Sequence, residues 1–200
     1  GKHHESAKRW PASVPHLAAI CELAGAERAL PAYSLQLNEM NEETTLTTLR
    51  AAVAAATTPT ERAGALNQLA KELERQSQYS ESLAAAEEAY NLAKEAGDEL
   101  AEAEALRLQG FVHQRRSEYP TALALLANSL KLFEELGDRS GVAHATNNIG
   151  IVYRNLSDYP KALEYYSRAL ALHEELGDRA GVARVTGNIG VVYDSLSDYP

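Results

Sequence analysis

The sequence is short of cysteine and of the largest aromatic side chains. Its one cysteine, Cys21, cannot form an internal disulfide or supply a cysteine-rich metal site. Only two Phe and one Trp occur in 200 residues, and alanine and leucine dominate the apolar residues. This composition favours closely packed helices over a core built from large aromatic rings.

Positive charge and long apolar runs are also scarce. The formal net charge is −9 at pH 7, so the chain lacks the basic footprint that nucleic acids and anionic membranes require. No apolar run approaches the roughly 18 residues of a membrane-spanning helix. We therefore expect neither nucleic acid nor a membrane as a partner. A single cysteine fits a reducing compartment, so we expect a cytoplasmic location.

What the sequence does contain is a repeat. Residues 137–160 and residues 177–200 differ at only seven of 24 aligned positions, at an offset of 40 residues. The same period continues backward to Glu61, with glycine at 97, 137 and 177 and tyrosine at 79, 119, 159 and 199. A period of about 20–50 residues is typical of solenoids and other repeat arrays.

Each repeat unit is predicted to form two helices, A and B. Asp98, Asp138 and Asp178 are the predicted N-caps of the A helices, and the glycine before each suits the left-handed end of the preceding helix. Gly150 and Ala162 have small side chains where helices A and B must approach closely. The sequence therefore predicts a row of antiparallel helix pairs.

The repeat phase divides the chain into segments. Residues 1–40 lie outside the period, and they either cap the first hydrophobic face of the array or form a leader that takes no part in it. Asn41 is a suitable N-cap for a capping helix over residues 41–56. The repeat units then occupy residues 57–97, which are degenerate, residues 98–137, residues 138–177, and residues 178–200, which hold helix A alone.

The repeat units resemble tetratricopeptide repeats over about residues 57–200. The matching residues are Ile149, Gly150 and Tyr153 in helix A, and Ala162, Tyr166 and Ala169 in helix B. The unit departs from the family pattern in having 40 residues and not roughly 34, and in carrying Thr146 or Thr186 where a large aromatic residue is usual. The resemblance implies an all-α fold, a right-handed superhelical solenoid of antiparallel helix pairs.

This long variant is similar to arrays in bacterial signalling proteins, in kinesin light chains and in Pins-type adaptors. The resemblance implies a non-catalytic interaction and regulatory module, which binds a protein segment in a concave groove and relays that binding to an output domain outside these residues. Two alternatives stay open: a self-association or scaffold module, and the regulatory part of an enzyme (a cyclase, diguanylate cyclase or kinase) with its active site beyond residue 200. The sequence has no phosphate-binding loop and no catalytic motif, so we predict no catalytic residue, no cofactor and no metal site.

The differences between the two copies indicate a ligand surface. Positions 140, 144, 147, 151 and 154 are spaced four and three residues apart, so they form one stripe along helix A. The invariant positions between them are expected to pack against neighbouring helices, which leaves the stripe to line the concave groove. The predicted binding residues for a peptide or protein are Arg107, Phe111, Gln114, His144, Asn147, Ile151, Arg154, Arg184, Val191 and Asp194.

The stripe is less acidic than the chain around it. With Glu104 and Gly187 included, it carries three arginines against one glutamate and one aspartate. Arginine and asparagine donors beside an apolar floor suit an extended or helical peptide that bears carboxylates.

Two histidines stand apart from the stripe. His113 replaces the tyrosine of the other copies and is predicted to be a packing or partly buried side chain. His173 lies near Glu174 and Glu175, so we expect it on a solvated face of helix B. We predict no metal site at either position.

The last unit is expected to leave an apolar face uncovered. Pro200 stands where helix B of this unit would begin. Half of the apolar face of the last A helix, including Ile189, Val192 and Tyr193, would then lack a covering helix. Because exposed apolar faces promote association, we expect self-association through this helix, and the chain to be a fragment of a longer protein.

Overall fold

A computed structural model describes the backbone of residues 30–197 and the side chains from residue 42 onward. The chain divides into two compact units, residues 1–45 and residues 46–200. Cys21 and most of the leader predicted at residues 1–40 lie outside the described residues. The helices are α1 (Leu30–Ala55), α2 (Pro59–Arg75), α3 (Tyr79–Ala96), α4 (Glu99–Arg115), α5 (Tyr119–Leu136), α6 (Arg139–Asn155), α7 (Tyr159–Glu175) and α8 (Arg179–Ser197).

Helix α1 begins earlier than the sequence suggests. It starts at Leu30, so Asn41 lies inside the helix and is not its N-cap. Pro31 is the second residue of this helix, a position where its missing N–H interrupts no helical hydrogen bond. A proline in the first turn is compatible with a helix, so α1 can begin before the predicted N-cap at Asn41.

Side-chain caps begin the A helices, which are α2, α4, α6 and α8. Asp98 Oδ1 accepts a hydrogen bond of 3.0 Å from the Ala101 N–H, and Asp138 and Asp178 form the equivalent bonds one and two repeats later. These three N-cap predictions are confirmed. Helix α2 begins instead with a reciprocal capping box between Thr58 and Glu61.

The turns between helices carry residues in the left-handed region of the backbone. Gly97, Gly137 and Gly177 follow the B helices α3, α5 and α7 with φ values of 68°, 70° and 68°. The turns after the A helices use serine in the same conformation, a feature that the sequence analysis did not anticipate. These residues are Ser77, Ser117 and Ser157, with φ values of 59°, 62° and 60°.

Helices A and B of one unit pack through small residues, as predicted. A Cβ added at Gly150 of α6 would lie 2.7 Å from the Tyr166 ring of α7, which is closer than carbon atoms approach without a shift. Ala162 of α7 is fully buried. Tyr166 is also fully buried, so the glycine provides the space that its ring fills.

The A and B helices form two layers with different contacts. From α2 onward each helix packs against the next one in the chain, and each A helix also contacts the A helix of the next unit. Within the described residues, no B helix contacts another B helix. The A layer is therefore the more closely spaced, inner layer. Residues 46–197 form the all-α solenoid of antiparallel helix pairs that the resemblance implies.

The first repeat is covered by the second half of α1. Leu46 is buried among Leu66 and Leu69 of α2, and Leu49 and Val53 pack beside it. This cover removes the apolar face of the first A helix from water, as the end of a repeat array requires.

Candidate functional site

The predicted stripe positions of neighbouring A helices lie side by side. Arg184 Nη2 of α8 lies 3.3 Å from His144 Nδ1 of α6, one repeat earlier. Beside them, Asn188 Nδ2 donates a hydrogen bond of 3.0 Å to Asn147 Oδ1. The stripes thus form one surface, which we call the inner groove. Its residues are Gly64, Asn67, Lys71 and Glu74 of α2, Glu104, Arg107, Phe111 and Gln114 of α4, His144, Asn147, Ile151 and Arg154 of α6, and Arg184, Gly187, Val191 and Asp194 of α8.

The predicted binding residues differ in how far they reach solvent. Arg184, Val191 and Asp194 are exposed, whereas Phe111, His144, Ile151 and Arg154 are half-buried. Arg107, Gln114 and Asn147 are buried. These three are less accessible than the stripe pattern suggests, because neighbouring A helices pack closely enough for their side chains to meet across the groove.

An ion pair lies deep in the groove on α4. Arg107 is only 7% exposed, and its Nε and Nη2 atoms donate hydrogen bonds of 2.9 and 2.8 Å to the two carboxylate oxygens of Glu104. Burial raises the pKa of Glu104, but the hydrogen bonds and charge of Arg107 outweigh this effect and lower it. Both groups are therefore charged at neutral pH, and each satisfies the other.

Glu74 of α2 contributes a second carboxylate with a different environment. Its Oε2 atom is buried and has no hydrogen-bond partner. Burial raises the pKa of Glu74, while the charge of Arg107 opposes that rise and the charge of Glu104 adds to it. The charge of Arg184 also lowers the pKa of Glu74, although α2 and α8 are the first and last A helices. Charged groups from three A helices thus lie within electrostatic reach of one another.

Two histidines meet at the other end of the groove. Burial, together with the charges of Arg107 and Arg184, lowers the pKa of His144 to about 4. The His144 ring lies edge-on to the His173 ring, with a centroid distance of 5.3 Å. His173 is 1% exposed, so the prediction that it lies on a solvated face is wrong. It is buried because its side chain turns under Gly181 of α8, as Phe133 does under Gly141 one repeat earlier.

His113 has the environment that the sequence predicts. It is half-buried, and its Nδ1 atom pairs with the Glu118 carboxylate across the turn between α4 and α5. Among residues 42–197, no group of three or more His, Cys, Asp or Glu side chains is arranged to hold a metal ion.

A cavity of about 440 Å³ opens beside Glu74, where α1 faces α2. The lining residues are Leu49, Gln68, Lys71, Glu72, Glu74 and Arg75. Two of these, Lys71 and Glu74, belong to the inner groove, so the cavity is continuous with its α2 end.

The sequence matches a known family in its C-terminal part. Residues 141–200 match the family model described as tetratricopeptide repeat. These residues are tetratricopeptide repeats. The resemblance proposed from the sequence is thereby confirmed.

Solved structures share the tetratricopeptide-like arrangement of helices. The chain is similar to BtubC (BKLC) from P. vanneervenii, with 21% identity and a TM-score of 0.66 over 83% of this chain and 70% of that protein. It is also similar to aspartyl phosphate phosphatase F from Bacillus subtilis, with 17% identity and a TM-score of 0.56 over 72% of this chain and 43% of that protein. At these identities the likeness shows the fold alone. No curated protein matches the sequence.

The tetratricopeptide fold is typical of protein–protein interaction. Lys71 and Glu74 of α2 also lie in the inner groove, but they are not among the residues predicted from the sequence. Both lie 40 residues before the stripe positions Phe111 and Gln114, so continuing the stripe by one more repeat would have found them.

None of the helices within residues 30–197 is long and apolar enough to cross a membrane.

Proposed function

We propose that this chain is a non-catalytic interaction module that binds a segment of another protein in the inner groove. The observation that carries the proposal is the continuity of the stripe across four A helices, with exposed or half-buried side chains on α4, α6 and α8. A segment lying in the groove would contact several repeats at once. Such a segment would find apolar side chains, amides and arginines in one place.

The charge of Arg184 favours a partner that bears a carboxylate. Arg184 is exposed, and among the described residues no carboxylate forms an ion pair with it. Its hydrogen-bond contact is His144, which the low pKa of about 4 keeps neutral at pH 7. A ligand carboxylate would therefore gain a charge-assisted hydrogen bond from a guanidinium that no protein carboxylate already satisfies. Phe111, Ile151 and Val191 would provide the apolar contact beside it.

The module would act by transmitting this binding to another domain. Each A helix contacts its neighbours closely, so a ligand that bridges α4 and α8 would alter the spacing of the repeats. An output domain outside these residues would sense that change. This mechanism assigns the chain to signalling proteins whose catalytic activity, where there is one, lies elsewhere.

The groove is tested with selected peptides. A library of random 12-residue peptides (a length of roughly 40 Å when extended) is displayed on phage and selected against the full 200-residue chain. Binding of the recovered peptides is measured by calorimetry on the wild type, Arg184→Glu and Val191→Glu, with Lys131→Glu on the outer helix α5 as the control. We expect the two groove variants to lose about 10-fold or more in affinity, and the control to bind as the wild type does. Equal binding by all four proteins would exclude the groove.

A second candidate function is self-association through α8. Val191, Tyr193 and Leu196 on this helix are 47%, 60% and 42% exposed. Tyr193 and Leu196, three residues apart, lie on one face of α8 and form an apolar patch, whereas Val191 lies on the groove face. Burial of apolar area drives association. A dimer formed here would serve as a scaffold or as a regulatory switch between two output domains.

A further inference from the structure

We propose that Glu74, at the α2 end of the inner groove, is the acceptor for a lysine or arginine side chain of the bound protein segment. This inference rests on the proposed function, and it specifies a basic residue that the ligand must carry. It adds a position that binds a cation to a groove in which Arg184 favours a ligand carboxylate.

The first observation is that one carboxylate oxygen of Glu74 has no hydrogen-bond donor. Glu74 Oε2 is buried and makes no hydrogen bond, whereas buried polar atoms of folded proteins are nearly always paired. Arg107, the cation whose charge acts most strongly on Glu74, directs its Nε and Nη2 atoms to the two oxygens of Glu104. An unpaired carboxylate inside a protein lowers its stability, so it calls for a physical reason.

The second observation is that the side chains around Glu74 leave it available. Lys71, one turn earlier on α2, is exposed and forms no ion pair with Glu74 within the described residues. Arg75 Nη2 lies 2.6 Å from Glu72 Oε1, so the opposite charges of these two side chains offset each other. The charge of Lys71 acts on Glu74 and lowers its pKa, but no hydrogen bond or ion pair joins the two side chains within the described residues.

The third observation is space for a long basic side chain. The cavity of about 440 Å³ beside Glu74 falls within the usual size of ligand pockets. Leu49 and the methylene groups of Gln68 line it, and they provide an apolar wall. Lysine and arginine bury their methylene stems along such walls while the charged end reaches a polar partner. The occupant therefore combines an apolar stem with a cationic tip.

The position of Glu74 also limits where the ligand carries its charges. Glu74 lies on α2 and Arg184 on α8, the first and last A helices of the groove. We infer a segment that carries a basic residue at its α2 end and an acidic residue at its α8 end.

This role predicts opposite effects of one substitution on stability and on binding. In Glu74→Gln the desolvated charge is gone and the shape is kept, so the free protein should unfold at a temperature higher by roughly 2–4 °C. The same variant should bind a lysine-bearing peptide about 10-fold more weakly. A purely structural glutamate would lower both quantities together or leave binding unchanged.

The test uses peptides selected on the wild-type chain as probes. Each peptide is synthesised with its lysine or arginine and again with norleucine at that position, and both are measured on the wild type and on Glu74→Gln. Glu87→Gln, an exposed glutamate on the outer helix α3, is the control for a loss of one negative charge. We expect norleucine to weaken binding about 10-fold on the wild type and on Glu87→Gln, and less than about 2-fold on Glu74→Gln.

Four results would overturn the inference. Selected peptides without a basic residue, or an equal norleucine effect on all three proteins, would reject Glu74 as the acceptor while the groove stays the binding site. Peptides that are insensitive to Arg184→Glu would reject the groove and the inference together. A lower unfolding temperature for Glu74→Gln would show that the carboxylate stabilises the free protein, which contradicts an acceptor left open for a ligand.

Discussion

Three serines occupy a backbone conformation that glycine adopts at lower cost. Ser77, Ser117 and Ser157 have φ near 60° at the ends of the A helices. For residues with a Cβ, the left-handed region is less favourable by about 1 kcal/mol or more. The turn is still formed because the next N–H reaches back into the helix, as Asp158 N does to Tyr153 O at 2.9 Å.

We predict that Ser157→Gly stabilises the protein by about 0.5–1 kcal/mol, since glycine removes the strain but adds chain entropy to the unfolded state. Ser157 is the suitable position because no side-chain hydrogen bond is lost there, whereas Tyr79 and Tyr119 donate to Ser77 and Ser117. Urea denaturation followed by circular dichroism measures the change. In the matched control Gly137→Ser, the same strain is introduced and stability should fall by a similar amount. A drop in stability for Ser157→Gly would contradict this explanation.

His173 is a single residue that departs from the repeat. It takes the place of Phe133, yet neither of its ring nitrogens has a hydrogen-bond partner. The Asp178 carboxylate lies 2.9 Å from Nδ1, where its charge favours the protonated ring. Burial lowers the pKa of His173 despite this aspartate. The fold therefore favours the neutral ring.

His173 lies where helices α6, α7 and α8 meet, and we expect the packing of these helices to depend on pH. His144 of α6 and His173 of α7 meet, and Asp178 caps α8 beside them. Arg107, Arg184 and Glu104 are the other charges that act on His144. Because both histidines have lowered pKa values, protonation opposes the contact between α6, α7 and α8.

We predict that the free energy of unfolding falls by about 1–3 kcal/mol as the pH is lowered from about 6.5 to about 4. Over this range the unfolded chain takes up protons that the folded histidines do not, so acid favours unfolding. Stability is complete above the unfolded pKa and is lost as the pH falls toward the lowered folded values. The measurement is urea denaturation at several pH values.

His173→Phe places the residue found at position 133 at this site and should reduce this loss, because the lowered pKa of His173 no longer contributes to it. It should also stabilise the protein at neutral pH, since a buried ring with two unpaired nitrogens is replaced by an apolar one. Parallel pH profiles for the variant and the wild type would show that His173 does not cause the acid sensitivity.

The A and B helices differ in how many of their residues are buried. In α4 and α6, ten residues each are buried, including polar ones such as Gln109 and Asn148, whereas α5 and α7 bury four each. The difference arises because an inner A helix touches its own B helix, the previous B helix and two A helices. Helix α8 has fewer neighbours, and only Gly181, Val185 and Val192 are buried in it.

Helix α8 buries fewer residues than α6, and its exposed apolar side chains are the reason to expect self-association of the whole chain. We predict that the full chain forms dimers at high concentration, and that Tyr193→Asp weakens the dimer by about 10-fold or more by placing a charge in the apolar patch. Light scattering over a concentration series measures this. Leu100→Asp, at an apolar residue that is 52% exposed on α4, is the control and should dimerise as the wild type does.

A chain extended by one further B helix separates two explanations. If the extended chain is monomeric, the association comes from the uncovered face of α8. If it still dimerises, a different surface holds the copies together. A wild-type chain that scatters as a monomer at every concentration would reject self-association altogether.

The order of helices was determined by local chemistry that the sequence displays. The 40-residue period, the aspartate N-caps and the glycines at helix ends depend on residues within one turn of each other. Gly150 and Ala162 indicated close packing because small side chains allow two helices to approach each other closely. The start of α1 was predicted wrongly because Asn41 suits an N-cap, whereas the helix begins at Leu30 and continues through it.

Only the tertiary structure decided which side chains reach solvent and which lack a partner. Arg107 and Asn147 occupy stripe positions like Arg184, yet the adjacent A helices bury them. His173 is buried under a glycine of the helix that follows it, and Glu74 Oε2 is buried without a hydrogen-bond donor. These outcomes depend on the spacing between successive A helices, which results from packing across repeats and leaves no trace in the residues of any single helix.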